Sequence, residues 1–173
     1  MAIESAVLVV GGGLAGLTSA LAAAREGADV RLVSADQSTL ANASGLVDLL
    51  GYTPAGEGPI ADPYEAIPNL PAEHPYRTVG VEEIRSAMAL FDAVAPDYRG
   101  GHTDTNALLP TEGGTVKPTA RYPVGASAGL ASDERPALLV GFGSLVDFDA
   151  PRAAAHLRAA GVPFDVRGVT VQF

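Results

Sequence analysis

Glycines 11, 13 and 16, set between an apolar run and a helix-forming run, constrain this chain more than any other feature. Ala6 to Val10 reads as a short Val-rich strand of the kind found in sheets covered on both faces. Leu14 to Glu26 carries Leu14, Leu17, Leu21 and Ala24 at helical spacing and stops near Gly27, and Asp29 to Val33 reads as a second strand. Strand, glycine turn, helix and strand within about thirty residues is the context in which G-x-G-x-x-G becomes informative. Gly11 allows the tight turn, Gly13 lets a phosphate approach the backbone, and Gly16 lets the helix lie close to the strand. The turn and first helical residues, Gly11, Gly12, Gly13, Leu14, Ala15 and Gly16, then offer free amides and the positive end of a helix dipole to an anion. A dinucleotide or flavin is the expected ligand; a tight turn in an unrelated α/β sheet is the alternative.

A dinucleotide site ordinarily carries Asp or Glu at the end of the second strand, where it holds a ribose hydroxyl. Here Ser34 stands at that end and Asp36 follows in the loop. Ser34 can hydrogen-bond a ribose without supplying charge. Arg31 lies inside the strand and is expected to point away, so the extra phosphate of NADP has no evident partner.

Composition removes several other classes. The 173 residues are 47% hydrophobic and 18% charged, so the chain is expected to fold, and its length fits one domain. With no cysteine there is no disulfide, thiolate zinc site, cysteine nucleophile or cysteine-ligated iron–sulfur cluster, and no metal site is expected. The net charge is −9 and Lys117 is the only lysine, which argues against nucleic acid as a partner. Acidic excess, scarce lysine and 31 alanines suit a high-salt cytoplasm, where salt screens self-repulsion; a high-GC genome is the alternative source of such a composition. The apolar stretch from Ala6 to Ala24 is neither a spanning helix nor a signal peptide, because four glycines interrupt it and Glu4 replaces the basic flank. A cytoplasmic protein is expected.

Beyond the second strand, six prolines fall between Thr53 and Pro75, which reads as an irregular connection. Val81 to Val94 is an amphipathic helix with Ile84, Met88, Phe91 and Val94 in one stripe and Pro96 after its end. Asn106 to Leu109 and Thr115 to Tyr122 flank Glu112-Gly113-Gly114 as a hairpin. Ala137 to Val140, Ala150 to Ala160 and Val162 to Phe173 read as strand, helix and strand, with Gly141 and Gly143 as a sharp turn rather than a second phosphate loop. Arg121, Lys117, His102 and His74 are the candidates for an anionic substrate or partner, and no catalytic residue is evident.

The segment from Ser34 to Gly51 is more specific than a loop. Gln37-Ser-Thr-Leu40 and Ser44-Gly-Leu-Val-Asp-Leu-Leu50, followed by His74-Pro-Tyr76, Leu139 to Phe148, and Leu157-Arg158 with Gly161, resemble the B-subunit family of anaerobic glycerol-3-phosphate dehydrogenase. Members of that family are longer, so this sequence resembles an N-terminal portion. The resemblance implies a flavoprotein with FMN, or alternatively FAD, acting on glycerol 3-phosphate and delivering electrons to a quinone-linked chain. It further implies a partner dehydrogenase subunit carrying FAD, an iron–sulfur subunit that anchors at the membrane, and a peripheral position at its inner face. Residues Gln37, Ser38, Thr39, Asn42, Ser44 and Gly45 lie near the carboxyl edge of the first two strands, where open α/β sheets bind ligands. Ser44 and Gly45 are the expected ring-side pair; the alternative is that Ser44 caps a short helix beginning near Gly45.

The expected architecture is therefore an α/β, Rossmann-like flavin or dinucleotide-binding fold with an inserted α+β cap and an incomplete sheet. Residues 1–52 form a βαβ nucleotide unit and flavin loop, 53–135 the cap, and 136–173 a second βαβ unit. Two other functions remain open at this level: a non-catalytic flavin relay or scaffold, and an NAD-dependent oxidoreductase. The isolated segment is expected to be inactive.

Overall fold

A computed structural model describes residues 4–35 and 38–172. The first unit forms as its sequence directs. Strand β1 (Val7–Val10) leads through the glycine turn into helix α1 (Leu14–Arg25), which ends at Gly27 with φ of +83°, and the chain returns as β2 (Val30–Val33). β1 and β2 are parallel, pairing Val7 with Val30 through Val10 with Val33.

The proline-rich connection is not irregular throughout. Asp62 caps α2 (Pro63–Ala66) by accepting from the Tyr64 and Glu65 amides, and Pro63 supplies a first-turn residue that needs no donor. A 3-10 turn at Ile67–Asn69 follows, then α3 (Pro75–Val79), capped by His74, and α4 (Val81–Val94), with Glu82 and Glu83 at its positive end. Tyr64, Ile67 and Leu70 from this stretch meet Ile84 and Met88 of α4 and Leu50 in one buried cluster. Asn106 closes the preceding loop by donating from its side-chain amide to the carbonyls of Leu50 and Ile60. The α4 stripe is only partly core: Ile84 and Met88 are buried, Phe91 packs edge-on against Tyr98, and Val94 is exposed.

Four short strands come next. β3 (Tyr98–Arg99) pairs antiparallel with β6 (Tyr122–Pro123), and β4 (Ala107–Pro110) with β5 (Val116–Thr119). The expected hairpin thus ends at Thr119, and Tyr122 leaves it for a separate ladder. After a 3-10 stretch at Val124–Gly129, β7 (Ala137–Phe142), α5 (Ala150–Ala159) and β8 (Val166–Val171) build a second parallel βαβ unit. Gly141 lies inside β7 rather than in a turn, because the strand runs two residues beyond Val140. Both it and Gly168 face the start of α5: a methyl at Gly168 would lie 2.1 Å from the Ala150 carbonyl oxygen. Ala154, Leu157, Phe164 and Val166 form a second buried cluster, against which Leu108 and Val116 of the hairpin pack.

One domain was expected, and two separate buried clusters are found among the described residues. Neither includes the first unit: α1 contains no buried residue, and Leu8 and Val10 of β1 are 59% and 78% exposed. Coverage of β1 on both faces is therefore not met among the described residues. Leu138, Val140 and Phe142 leave a similar bare row on β7. The two parallel pairs remain separate two-stranded ladders among the described residues.

Leu157 is fully buried where α5, β8 and the hairpin converge. Truncation by Leu157→Ala should lower unfolding free energy by about 2–5 kcal/mol, read as a shift of the urea midpoint at unchanged slope.

Candidate functional site

The glycine turn has the geometry that its spacing implies. Gly11 sits at φ +112°, a conformation that favours glycine, and its amide donates to the Val33 carbonyl at 2.8 Å. A methyl at Gly16 would stand 1.9 Å from the Gly11 carbonyl oxygen, so only hydrogen permits this approach of helix to strand. Gly13 is the N-cap of α1 with no side-chain cap, and the first turn carries no acidic residue. Its leading amides therefore face outward beside the positive end of the helix dipole, which suits an anion.

The loop after β2 closes over this turn. Ser38 Oγ donates to the Gly12 carbonyl at 2.6 Å and accepts from the Leu40 amide, capping a 3-10 turn over Thr39–Asn42. Ser34 meets the same turn, since a methyl on Gly12 would lie 3.0 Å from its Oγ. A methyl on Gly13 would lie 3.2 Å from Thr39 Oγ1. Gly11, Gly12, Gly13, Leu14, Ala15, Gly16, Ser34 and Ser38 are thus brought together, with Thr39 as an additional wall. Gln37 and Asp36 lie outside the described residues.

Ser44 and Gly45 sit further along, on the cap side. Gly45 has φ +75°, with Pro123 and Tyr98 3.5 and 3.9 Å from where a Cβ would be. No helix begins there. Ser44 Oγ instead accepts from the Leu46 amide at 3.3 Å, and Val47 bridges antiparallel to Arg121. The loop is consequently tied at one end to the glycine turn and at the other to the cap.

Arg121 supplies that second tie and is corrected as a substrate candidate. It is 5% exposed, donates through Nε and Nη2 to the two carboxylate oxygens of Asp92 at 2.7 and 2.8 Å, and donates through Nη1 to the carbonyls of Gly100 and Ala120. The hydrogen bonds it donates to Asp92 hold its guanidinium even more firmly protonated than usual. Gly100 and Gly101 make room for the pair: a methyl on the first would meet the Ala120 carbonyl oxygen at 2.3 Å, and on the second the Asp92 carboxylate at 2.8 Å. A buried arginine leaves no periodic trace in sequence, so this anchor was not legible. His74 is likewise committed, its Nδ1 accepting from the Tyr76 amide as the cap of α3. His102 lines a separate cleft with Asp92 and Arg99. Lys117 remains half-exposed, paired with Asp48 at 2.6 Å, beside a cleft of about 460 Å³ that Asn42 and Ser44 also line. Near it, burial and the Asp48 charge raise the Tyr76 phenol, whose hydroxyl donates to the Leu49 carbonyl.

Comparisons with known proteins identify a family. Residues 6–173 match the family described as FAD binding domain. Over 173 residues the chain is 73% identical to the probable B subunit of anaerobic glycerol-3-phosphate dehydrogenase from Halobacterium salinarum, covering all of this chain and 40% of that protein. It is 30% identical over 167 residues to the B subunit of the same enzyme from Pectobacterium carotovorum, covering 90% of this chain and 39% of the relative. The corresponding protein of Yersinia pseudotuberculosis is 32% identical over 168 residues, with the same coverages. The chain therefore spans about two fifths of the length of these relatives. No solved structure matches it.

Replacing Asp92 by Asn leaves the buried Arg121 guanidinium without its counter-charge. Asp92→Asn should destabilise the fold by roughly 3 kcal/mol in chemical denaturation, well above the effect of an exposed pair.

Proposed function

The chain belongs to the FAD binding domain family, and on that premise we propose that it is the flavin-binding part of an anaerobic glycerol-3-phosphate dehydrogenase subunit. The observation that carries this reading is the closure of the Ser38–Thr39 loop on Gly12 and Gly13. It forms a cradle at an uncapped helix N-terminus that a side chain on either glycine would fill. The outward amides of Leu14, Ala15 and Gly16 would hold the flavin phosphates. Ser34 would hydrogen-bond the ribityl or ribose hydroxyls, and Ser44 with Gly45 would face the ring. When bound, the flavin supplies the redox chemistry, while these groups position it and exclude water.

The family description favours FAD. The uncharged Ser34 at the end of β2 is compatible with FMN, which the resemblance of the Ser34–Gly51 segment implies, and the mass of the extracted cofactor decides between them. In the same reading the substrate is glycerol 3-phosphate, oxidised to dihydroxyacetone phosphate, and the electrons leave through partner subunits toward a quinone. The partners would be an FAD-carrying dehydrogenase subunit and an iron–sulfur subunit at the inner face of the membrane. None of the described helices is long and apolar enough to cross a membrane, so attachment there would run through a partner. In a Rossmann-like fold of this kind, 1–52 would be the βαβ nucleotide unit and flavin loop, 53–135 the inserted cap and 136–173 the second βαβ unit, with the exposed rows of β1 and β7 covered by further segments. A non-catalytic relay is the second reading, supported by the structural commitment of Arg121 and His74.

Cofactor extracted from the native protein should be a flavin by mass; tightly held NAD without flavin would contradict the proposal. Gly13→Val should lower flavin retention at least about tenfold with little change in far-ultraviolet circular dichroism. Unchanged flavin content in that variant would remove the glycine turn from the site. Anaerobic addition of glycerol 3-phosphate alone should bleach the flavin, whereas a relay would need its partner. Finally, the −9 charge should make stability rise with potassium chloride toward molar concentrations, measured as the thermal midpoint.

A further inference from the structure

We propose that the cleft between residues 42–46 and the β4–β5 hairpin binds a small phosphorylated polyol, with Lys117 taking its phosphate. The proposal rests on the reading above in one respect: it takes Ser44 as the ring-side wall of the flavin site. Around that wall, cation placement discriminates among residues that sequence alone left equal. Arg121 is buried and held by four hydrogen bonds to Asp92 and two carbonyls, His74 is a helix cap, and His102 opens onto a different cleft. Lys117 alone of the four lines the cleft that Ser44 lines.

The cleft also carries both signs of charge. Lys117 gives it a cation, and Glu112 gives it a carboxylate that can accept from a hydroxyl but repels a second anion. Asn42, Ser44 and Thr111 add neutral polar groups to the same lining. A ligand with one anionic end and one hydroxyl-bearing end satisfies this set; a dicarboxylate does not. In a chain of net charge −9, long-range attraction gives an anion little help, so a local cation has to hold it.

Lys117 is poised rather than consumed by its present partner. Its ammonium lies 2.6 Å from Asp48 Oδ2, but both side chains are close to two-fifths exposed. Pairs so exposed are weak, and a phosphate dianion competes effectively for the ammonium. Asp48 therefore holds the lysine over the cleft until ligand arrives.

Calorimetric titration of the full-length protein with glycerol 3-phosphate tests this, with inorganic phosphate and glycerol as separate probes. Lys117→Gln should weaken glycerol 3-phosphate and phosphate binding about 10- to 100-fold, while Lys117→Arg stays within a few-fold of the parent. Asp48→Asn should bind as well as the parent or better, an outcome that a purely structural ion pair does not give. Equal binding by Lys117→Gln and the parent, no binding by the parent, or equal losses in Lys117→Gln and Asp48→Asn would each overturn the assignment. Flavin content, read by absorbance on the same samples, is independent: its absence contradicts the flavin reading without changing what the titration says of the cleft.

Discussion

The hydrogen bond from Ser38 Oγ to the Gly12 carbonyl, 2.6 Å long, turns a glycine-rich bend into a site. Without it, β1, α1 and β2 are a βαβ unit whose helix end faces open solvent. With it, the loop that follows β2 closes on the glycine turn and is directed toward the cap. The approach of Gly16 to the Gly11 carbonyl prepares the turn for this closure by setting the helix against the strand. Glycine is required at Gly16 by backbone contact, and at Gly13 a methyl would crowd Thr39 Oγ1 at 3.2 Å.

The second end of that loop depends on a different kind of interaction. Val47 exchanges backbone hydrogen bonds with Arg121, and Thr119 adds its hydroxyl to the Val47 carbonyl. Arg121 is fixed in turn by Asp92 of α4, by the Gly100 carbonyl and by the carbonyl of its own neighbour Ala120. A charged residue expected to meet substrate thus serves as the joint between loop and cap. Burial forces this role: a guanidinium out of water must have all its donors engaged, and engaged donors do not bind substrate. Lys117, on the half-exposed face of β5, escapes that constraint.

Much of this was legible in the sequence, for reasons that differ by element. The first βαβ unit and α4 announce themselves through glycine spacing, helical periodicity and end signals, and α4 runs over the expected residues, Val81–Val94. The resemblance carried by Ser34 to Gly51 anticipated the family that the comparisons identify. The proline-rich stretch was opaque because α2 and α3 have four and five residues, too few to show a period. The β3–β6 ladder of two residues per strand leaves even less. Ser44 reads in sequence as a ring-side residue or as the cap of a short helix, and no helix begins there because Val47 is drawn into a bridge with Arg121. Pairings between distant segments have no local signature.

The central claim is that the glycine turn and the Ser38–Gly45 loop hold one flavin between them. Hydrogen–deuterium exchange of the protein with and without its flavin tests this most directly. The account predicts that amides in residues 11–16 and 38–45 slow together on flavin binding, with α4 and α5 unchanged. Slowing confined to other segments, with both of these unaffected, would contradict it.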